Sequence, residues 1–143
     1  MSNKPGKKLT MEELGRKSVS EYRDAKKIPL VVVLDNIRSL HNIGSVFRTS
    51  DAFSIEKIVL TGITAQPPHR EIQKTALGAT DTVDWEYLPT CMEALETLKS
   101  NGYRILGVEQ VAGSVLLHEF SYSNDKLALV FGNEVKGVDQ EVL

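Results

Sequence analysis

Cysteine is nearly absent from this chain of 143 residues: Cys91 stands alone, so no internal disulfide can form. The fold must rest on its own core, and a reducing, cytoplasmic setting is the expectation. Aromatic residues make up only 6% of the sequence, and there is one tryptophan. No Lys/Arg run is interleaved with aromatics, so no stacking surface for nucleic-acid bases is evident. No apolar run approaches the roughly 20 residues a membrane-crossing helix needs. Residues 1–8 lack the apolar stretch of a secretory signal. There is no G-x-G-x-x-G and no G-x-x-x-x-G-K-[ST], which argues against a Rossmann dinucleotide site and a P-loop. His41, His69 and His118 lack metal-ligand spacing, so no metal is expected. Cys91 lies in a helix-like run with no histidine near it in sequence, and it reads as a core residue rather than a nucleophile.

What is present is ordinary for one globular domain: 41% hydrophobic and 25% charged residues, with a net charge of −2. The charge is unevenly spread. Residues 1–27 hold eight Lys/Arg against four Asp/Glu, and the remainder holds nine against fifteen. A basic arm on an acidic body can lie against phosphates, or it can simply be a solvated tail. We therefore divide the chain into a basic helical extension, 1–27, and a domain, 28–143.

Short apolar β-branched runs alternate with helical patterns. Thr10 and Glu13 have capping-box spacing and predict a helix over 10–25. Strands are expected at 30–34, 57–60, 83–87, 103–108 and 127–131, and helices at 42–53, 71–75 and 91–100. A further helix is expected to begin at Asp139. This alternation predicts an α/β fold with a mostly parallel sheet covered by helices on both faces.

Two segments carry chemistry. In the first, the strand at 30–34 runs into a polar turn and then a helix bearing Asn42, Gly44 and Arg48. Asn42 reads as an N-cap. Gly44 permits close approach to the backbone, and Arg48 shares its helix face. A strand end, a helix N-terminus and a forked cation suit a phosphate or ribose-phosphate ligand. In the second, the strand at 127–131 ends at Gly132, Asn133, Glu134 and Gly137. Ligands in open α/β sheets sit outside the carboxyl ends of strands, where both segments lie.

Together these segments resemble motifs one and two of the SpoU-type, TrmH-like RNA ribose 2′-O-methyltransferases of the SPOUT superfamily. The resemblance covers about residues 28–143. It implies a trefoil-knot fold, a homodimer, S-adenosylmethionine as cofactor and an RNA substrate, with tRNA favoured over rRNA for so short a member. The family's third motif, which completes the knot and the cofactor pocket, has no counterpart after motif two. The domain is therefore expected to be C-terminally incomplete, with weak or no cofactor binding.

The resemblance also implies roles. Gly107, Val108, Glu109, Gly132 and Asn133 would frame the cofactor. Arg48 would be the catalytic residue. A guanidinium is a poor base, so its role would be to bind a phosphate and the developing alkoxide. Asn42 would orient Arg48 or the ribose. Glu134 would steer Arg48, hold a substrate group or form a structural pair. Family members also share a stretch matching 74–79, so Arg70 and Lys74 are expected on RNA phosphates, with His41 and Gly44 near substrate. The alternative is a non-catalytic RNA-binding or assembly module on the same scaffold.

Overall fold

The computed structural model describes residues 5–123 and 125–143. In chain order the elements are α1 (Val19–Asp24), β1 (Ile28–Asp35), α2 (Leu40–Ala52), β2 (Ile55–Thr61), α3 (Arg70–Ala76), α4 (Ala79–Thr82), β3 (Asp84–Leu88), α5 (Cys91–Ser100), β4 (Arg104–Gly107) and β5 (Leu127–Phe131). A 3₁₀ turn, Leu117–Glu119, sits in the long β4–β5 connection.

The five strands form one parallel sheet in the order β3-β2-β1-β5-β4. The α/β expectation is met. Alternation along β1 sends Val32 and Leu34 to one face, where they join Ile43 and Phe47 of α2, Ile72 and Ala76 of α3, and Ile58 and Leu60 of β2. Val31 and Val33 point to the other face, against Cys91, Ala94, Leu95 and Leu98 of α5. Each of these β1 residues is thus buried whichever way it points, which explains the unbroken apolar run. Cys91 is a core residue, and burial, reinforced by the charge of Asp35, pushes its thiol up to about 12.

The chain steps outward from β1 through β2 to β3, crosses to the far edge at β4, then returns to β5 beside β1. Connections from β1 and β5 diverge to opposite faces of the sheet. α2 follows β1 on one face, and Val138 after β5 packs on the other. A crevice at the carboxyl ends of neighbouring strands is the geometric result.

Two expected helices differ. Thr10 and Glu13 do exchange capping-box hydrogen bonds, yet only turns follow, because Gly15 turns the chain left-handed at φ +59°. The helix that forms is the six-residue α1, opened by a second capping box between Ser18 and Glu21. Residues 139–143 form a turn closed by the Val142 N–H on the Asp139 carbonyl, not a helix.

Candidate functional site

The site is built where β1 and β5 end side by side. β1 finishes at Asp35, and Asn36 follows at φ +53°, a left-handed conformation that asparagine tolerates better than most residues. Asn36 ties three strand ends together. Its N–H donates to the Thr61 carbonyl of β2 (3.2 Å), its Oδ1 accepts the Ile63 N–H (3.0 Å), and its carbonyl accepts Asn133 Nδ2 beyond β5 (2.8 Å). Thr64 adds a fourth tie: its buried hydroxyl donates to the Leu34 carbonyl and accepts the Ile37 N–H, both at 3.0 Å.

Beyond β5, Asn133 closes a tight turn. Its N–H and carbonyl pair with Gly137 (3.0 and 2.8 Å), and its Oδ1 accepts the N–H groups of Val135 and Lys136. The turn aims Glu134 at the start of α2. Glu134 Oε2 accepts the Arg38 N–H and Oε1 the Ser39 N–H, both at 2.9 Å, and Oε1 also receives Asn42 Nδ2 at 3.4 Å. Partial burial raises the Glu134 pKa. The Arg38 and Ser39 N–H groups, helped by Asn42, outweigh it and hold the carboxyl below its usual 4.5. The folded state therefore favours the carboxylate. Its stabilisation is present above pH 4.5 and fades as pH falls through the lowered folded value. Replacing Glu134 with glutamine is expected to cost about 1 kcal/mol at pH 7. It should also flatten the acid limb of a stability-versus-pH curve, which denaturant titrations from pH 7 to 3 would show.

The geometry corrects four expectations. Ser39, not Asn42, caps α2; its side chain accepts the Asn42 N–H at 3.2 Å, which places Asn42 one turn inside the helix. Glu134 does not steer Arg48; it holds the β1–α2 loop and Asn42. Arg48 lies about 9 Å further along the helix axis, half exposed, with Asp51 Oδ2 at 3.6 Å as its carboxylate partner, so neither Asn42 nor Glu134 orients it. Gly44 is buried, and its close approach is to α3: an added Cβ would lie 2.0 Å from Thr75 Oγ1 and 2.3 Å from the Ile72 carbonyl oxygen. Its room is taken by helix packing and is not open to a substrate.

The remaining expected residues fall into two groups. His41, at the start of α2, contacts Glu71 of α3 at 3.1 Å, and Lys74 pairs with the same carboxylate at 2.8 Å; Arg70 opens α3, exposed. On the other side, Val108, Glu109, Phe131, Gly132, Asn133 and Val138 border a cleft of about 510 Å³ at the carboxyl ends of β4 and β5. Glu109 spans it, accepting the Gln110 N–H (2.8 Å) and the Val138 N–H (2.9 Å), and these two bonds draw its carboxyl below the usual value. Gly107 lies beneath the Leu143 side chain. Asn36, Ser39 and Thr64 escaped the sequence reading, although an asparagine directly after a buried strand is a signal for a left-handed turn.

A second cavity, about 250 Å³, lies between α5, β2 and β3, with Tyr103 and Lys126 at its border. Its polar groups satisfy one another: the Tyr103 hydroxyl donates to Glu56 at 2.5 Å, and Lys57 pairs with Glu86. That cavity reads as structural.

The profile of the SpoU rRNA methylase family matches residues 29–143, which include both motifs and every strand but the first residue of β1. This chain belongs to that family. A 23S rRNA (guanosine-2′-O-)-methyltransferase, RlmB, from Neisseria meningitidis is 31% identical over 110 residues, 77% of this chain and 43% of its own length. The AdoMet-bound rRNA methyltransferase from Sinorhizobium meliloti superposes with a TM-score of 0.74 at 25% identity, covering 85% of this chain and 46% of the other. The TrmH/SpoU tRNA modifying enzyme of A. aeolicus gives 0.73 at 25% identity, covering 87% and 62%. The chain spans 31 to 49% of the length of the curated SpoU and TrmH relatives it matches.

Proposed function

We propose that this SpoU family chain takes part in transferring a methyl group from S-adenosylmethionine to a ribose 2′-OH of RNA, tRNA in preference to rRNA, as a homodimer in the cytoplasm. The observation that carries the proposal is the clasp of Glu134 on the start of α2. It brings both family motifs to one crevice, with the β4–β5 cleft beside it.

The cleft fits the cofactor chemically. Val108, Phe131, Val138 and Leu143 offer apolar surface for a flat base, and Gln110 and the loop backbone offer partners for hydroxyls. Glu109 and Glu134, both held as carboxylates, supply negative charge suited to a sulfonium. When bound, the cofactor supplies an electrophilic methyl group on a positively charged sulfur.

The rest falls to the chain. A guanidinium offers donors and no acceptor, so the role open to Arg48 is electrostatic. Its exposed pair with Asp51 is long and worth little, so an RNA phosphate can displace it. So placed, the guanidinium lowers the pKa of the adjacent hydroxyl and stabilises the developing alkoxide, and the hydroxyl proton passes to solvent water as the methyl bond forms. Asn42, fixed by Glu134, can hold the ribose in line. Arg70 and Lys74 lie on the neighbouring helix, where backbone phosphates would extend.

The test is methyl transfer from labelled cofactor to bulk tRNA and rRNA, followed by nuclease digestion and mass spectrometry of the nucleosides. A 2′-O-methyl nucleoside is expected. A methylated base would refute the ribose assignment, and no label in any RNA would favour the non-catalytic module.

A further inference from the structure

The C-terminal part of the basic extension is held against the domain. Its helix α1 packs against α4 and reaches the far end of α2, the helix that carries Arg48, through Tyr22. The Tyr22 hydroxyl donates to the Asp51 carbonyl at 2.6 Å, and the Ser50 carbonyl oxygen lies 3.5 Å away. Lys27 lies over the Tyr22 ring, 3.4 Å from its centroid, and donates to the Tyr22 carbonyl. Arg23 reaches Asp84 of β3 at 3.9 Å. Lys17 and Asp51 both lie within electrostatic range of Lys27.

Asp51 is the hub of this junction. Its carbonyl anchors Tyr22, and its carboxylate takes Arg48 at 3.6 Å and the Thr82 hydroxyl at 3.2 Å. Three cations, Arg23, Lys27 and Arg48, thus lie near two carboxylates, Asp51 and Asp84, with Lys17 near Lys27. Arg16, Lys17, Arg23 and Lys26 are exposed. Part of the positive charge of residues 17–27 is therefore placed at the end of the helix that carries Arg48, on a body whose own balance is negative. A ligand that approaches Arg48 with one phosphate meets a further row of cations, Arg23 and Lys27, across the Asp51 junction. A polyanion with regularly spaced phosphates fits such a row, and a single small anion would engage only part of it.

We propose that α1 and its flanking lysines form a second RNA-contact surface, continuous with Arg48, that grips backbone phosphates several nucleotides from the acceptor ribose. The inference rests on the RNA reading above. It adds that Tyr22 docking, and not charge alone, sets the position of this surface.

Fluorescence anisotropy of the full chain with labelled bulk tRNA, from 50 to 300 mM KCl, tests it. The K17A/R23A/K26A triple variant should bind about 10- to 30-fold more weakly at 100 mM salt. Its log K against log [salt] slope should be shallower by about 2, since each neutralised phosphate contributes roughly 0.7–0.9 to that slope. Y22F keeps every charge, so it should weaken binding several-fold with the slope unchanged. K99A, on α5 across the sheet, should match wild type. All the substituted lysines and arginines are exposed, and circular dichroism would confirm that the variants fold. If wild type binds and the triple variant binds equally, the surface is wrong. If the triple variant weakens and Y22F does not, the docking element is wrong. If folded wild type binds no RNA, the RNA reading itself fails.

Discussion

Replacing Arg48 with alanine is expected to lower methyl transfer by about 10²- to 10³-fold, the usual cost of removing one preorganised donor from a developing oxyanion. RNA affinity should fall by only about the share of one phosphate contact, a few-fold at 100 mM salt. The separation follows from geometry. Arg48 is half exposed on α2 and takes no part in the core, so the fold survives its replacement. In the proposed mechanism its interactions with the alkoxide would exist only in the transition state. Lysine at the same position keeps the charge but not the planar fork, and should recover only part of the rate. Single-turnover transfer beside equilibrium binding separates the two effects. Equal losses in both would make Arg48 a docking residue, and an unchanged rate would remove it from the chemistry.

Gly132→Ala is the second large effect. A Cβ there would lie 2.2 Å from the Gly137 carbonyl carbon and 2.3 Å from the Gly137 oxygen and the Val138 nitrogen. These are backbone atoms, so no side chain can swing aside. The paired Asn133–Gly137 turn must open, and with it go the aim of Glu134 and the Val138 N–H that Glu109 holds. We expect a stability loss of about 2–3 kcal/mol. That corresponds to a melting temperature lower by roughly 5–15 °C for a chain of this size. Cofactor binding should be abolished even where the variant remains folded. A thermal scan and a binding titration on the same sample check both halves. A variant that melts like wild type would mean that the turn is not packed as described.

The sequence revealed elements where a single physical signal dominates. The helix Cys91–Ser100 and the strand Leu127–Phe131 match their expected bounds, because Thr90 caps one and a glycine closes the other. β1 was legible because both its faces are buried. The helix expected over 10–25 shrank to six residues: its capping box is real, but the chain around Gly15 does not continue the turn. Propensity spoke for a helix, and no buried face was present to hold one.

The site was legible in its residues and less so in its wiring. Asn42 and Glu134 do meet, across 92 positions of sequence. Spacing could not show that the carboxylate would engage the Arg38 and Ser39 N–H groups and leave Arg48 to Asp51. Gly44 was read as room for a ligand, because a helix crossing and a substrate make the same demand on a side chain. Only the position of α3 distinguishes them. Asn36 was missed for a different reason: its residue type after a buried strand hints at a turn, but not at what the turn joins. Its importance lies in one left-handed backbone conformation that joins β1, β2 and β5, and nothing in strand periodicity signals it.

The central claim is that the carboxyl ends of β4 and β5 receive S-adenosylmethionine beside the Glu134 clasp. Titrating the cofactor into ¹⁵N-labelled protein and following backbone amides tests it most directly, and it detects weak binding as well as tight. The account predicts saturable shifts concentrated in residues 107–111 and 132–138, spreading to Arg38 and Ser39 through Glu134. Shifts centred elsewhere, such as the cavity bordered by Lys57 and Tyr103, would contradict it, as would a folded protein with no shifts at millimolar cofactor.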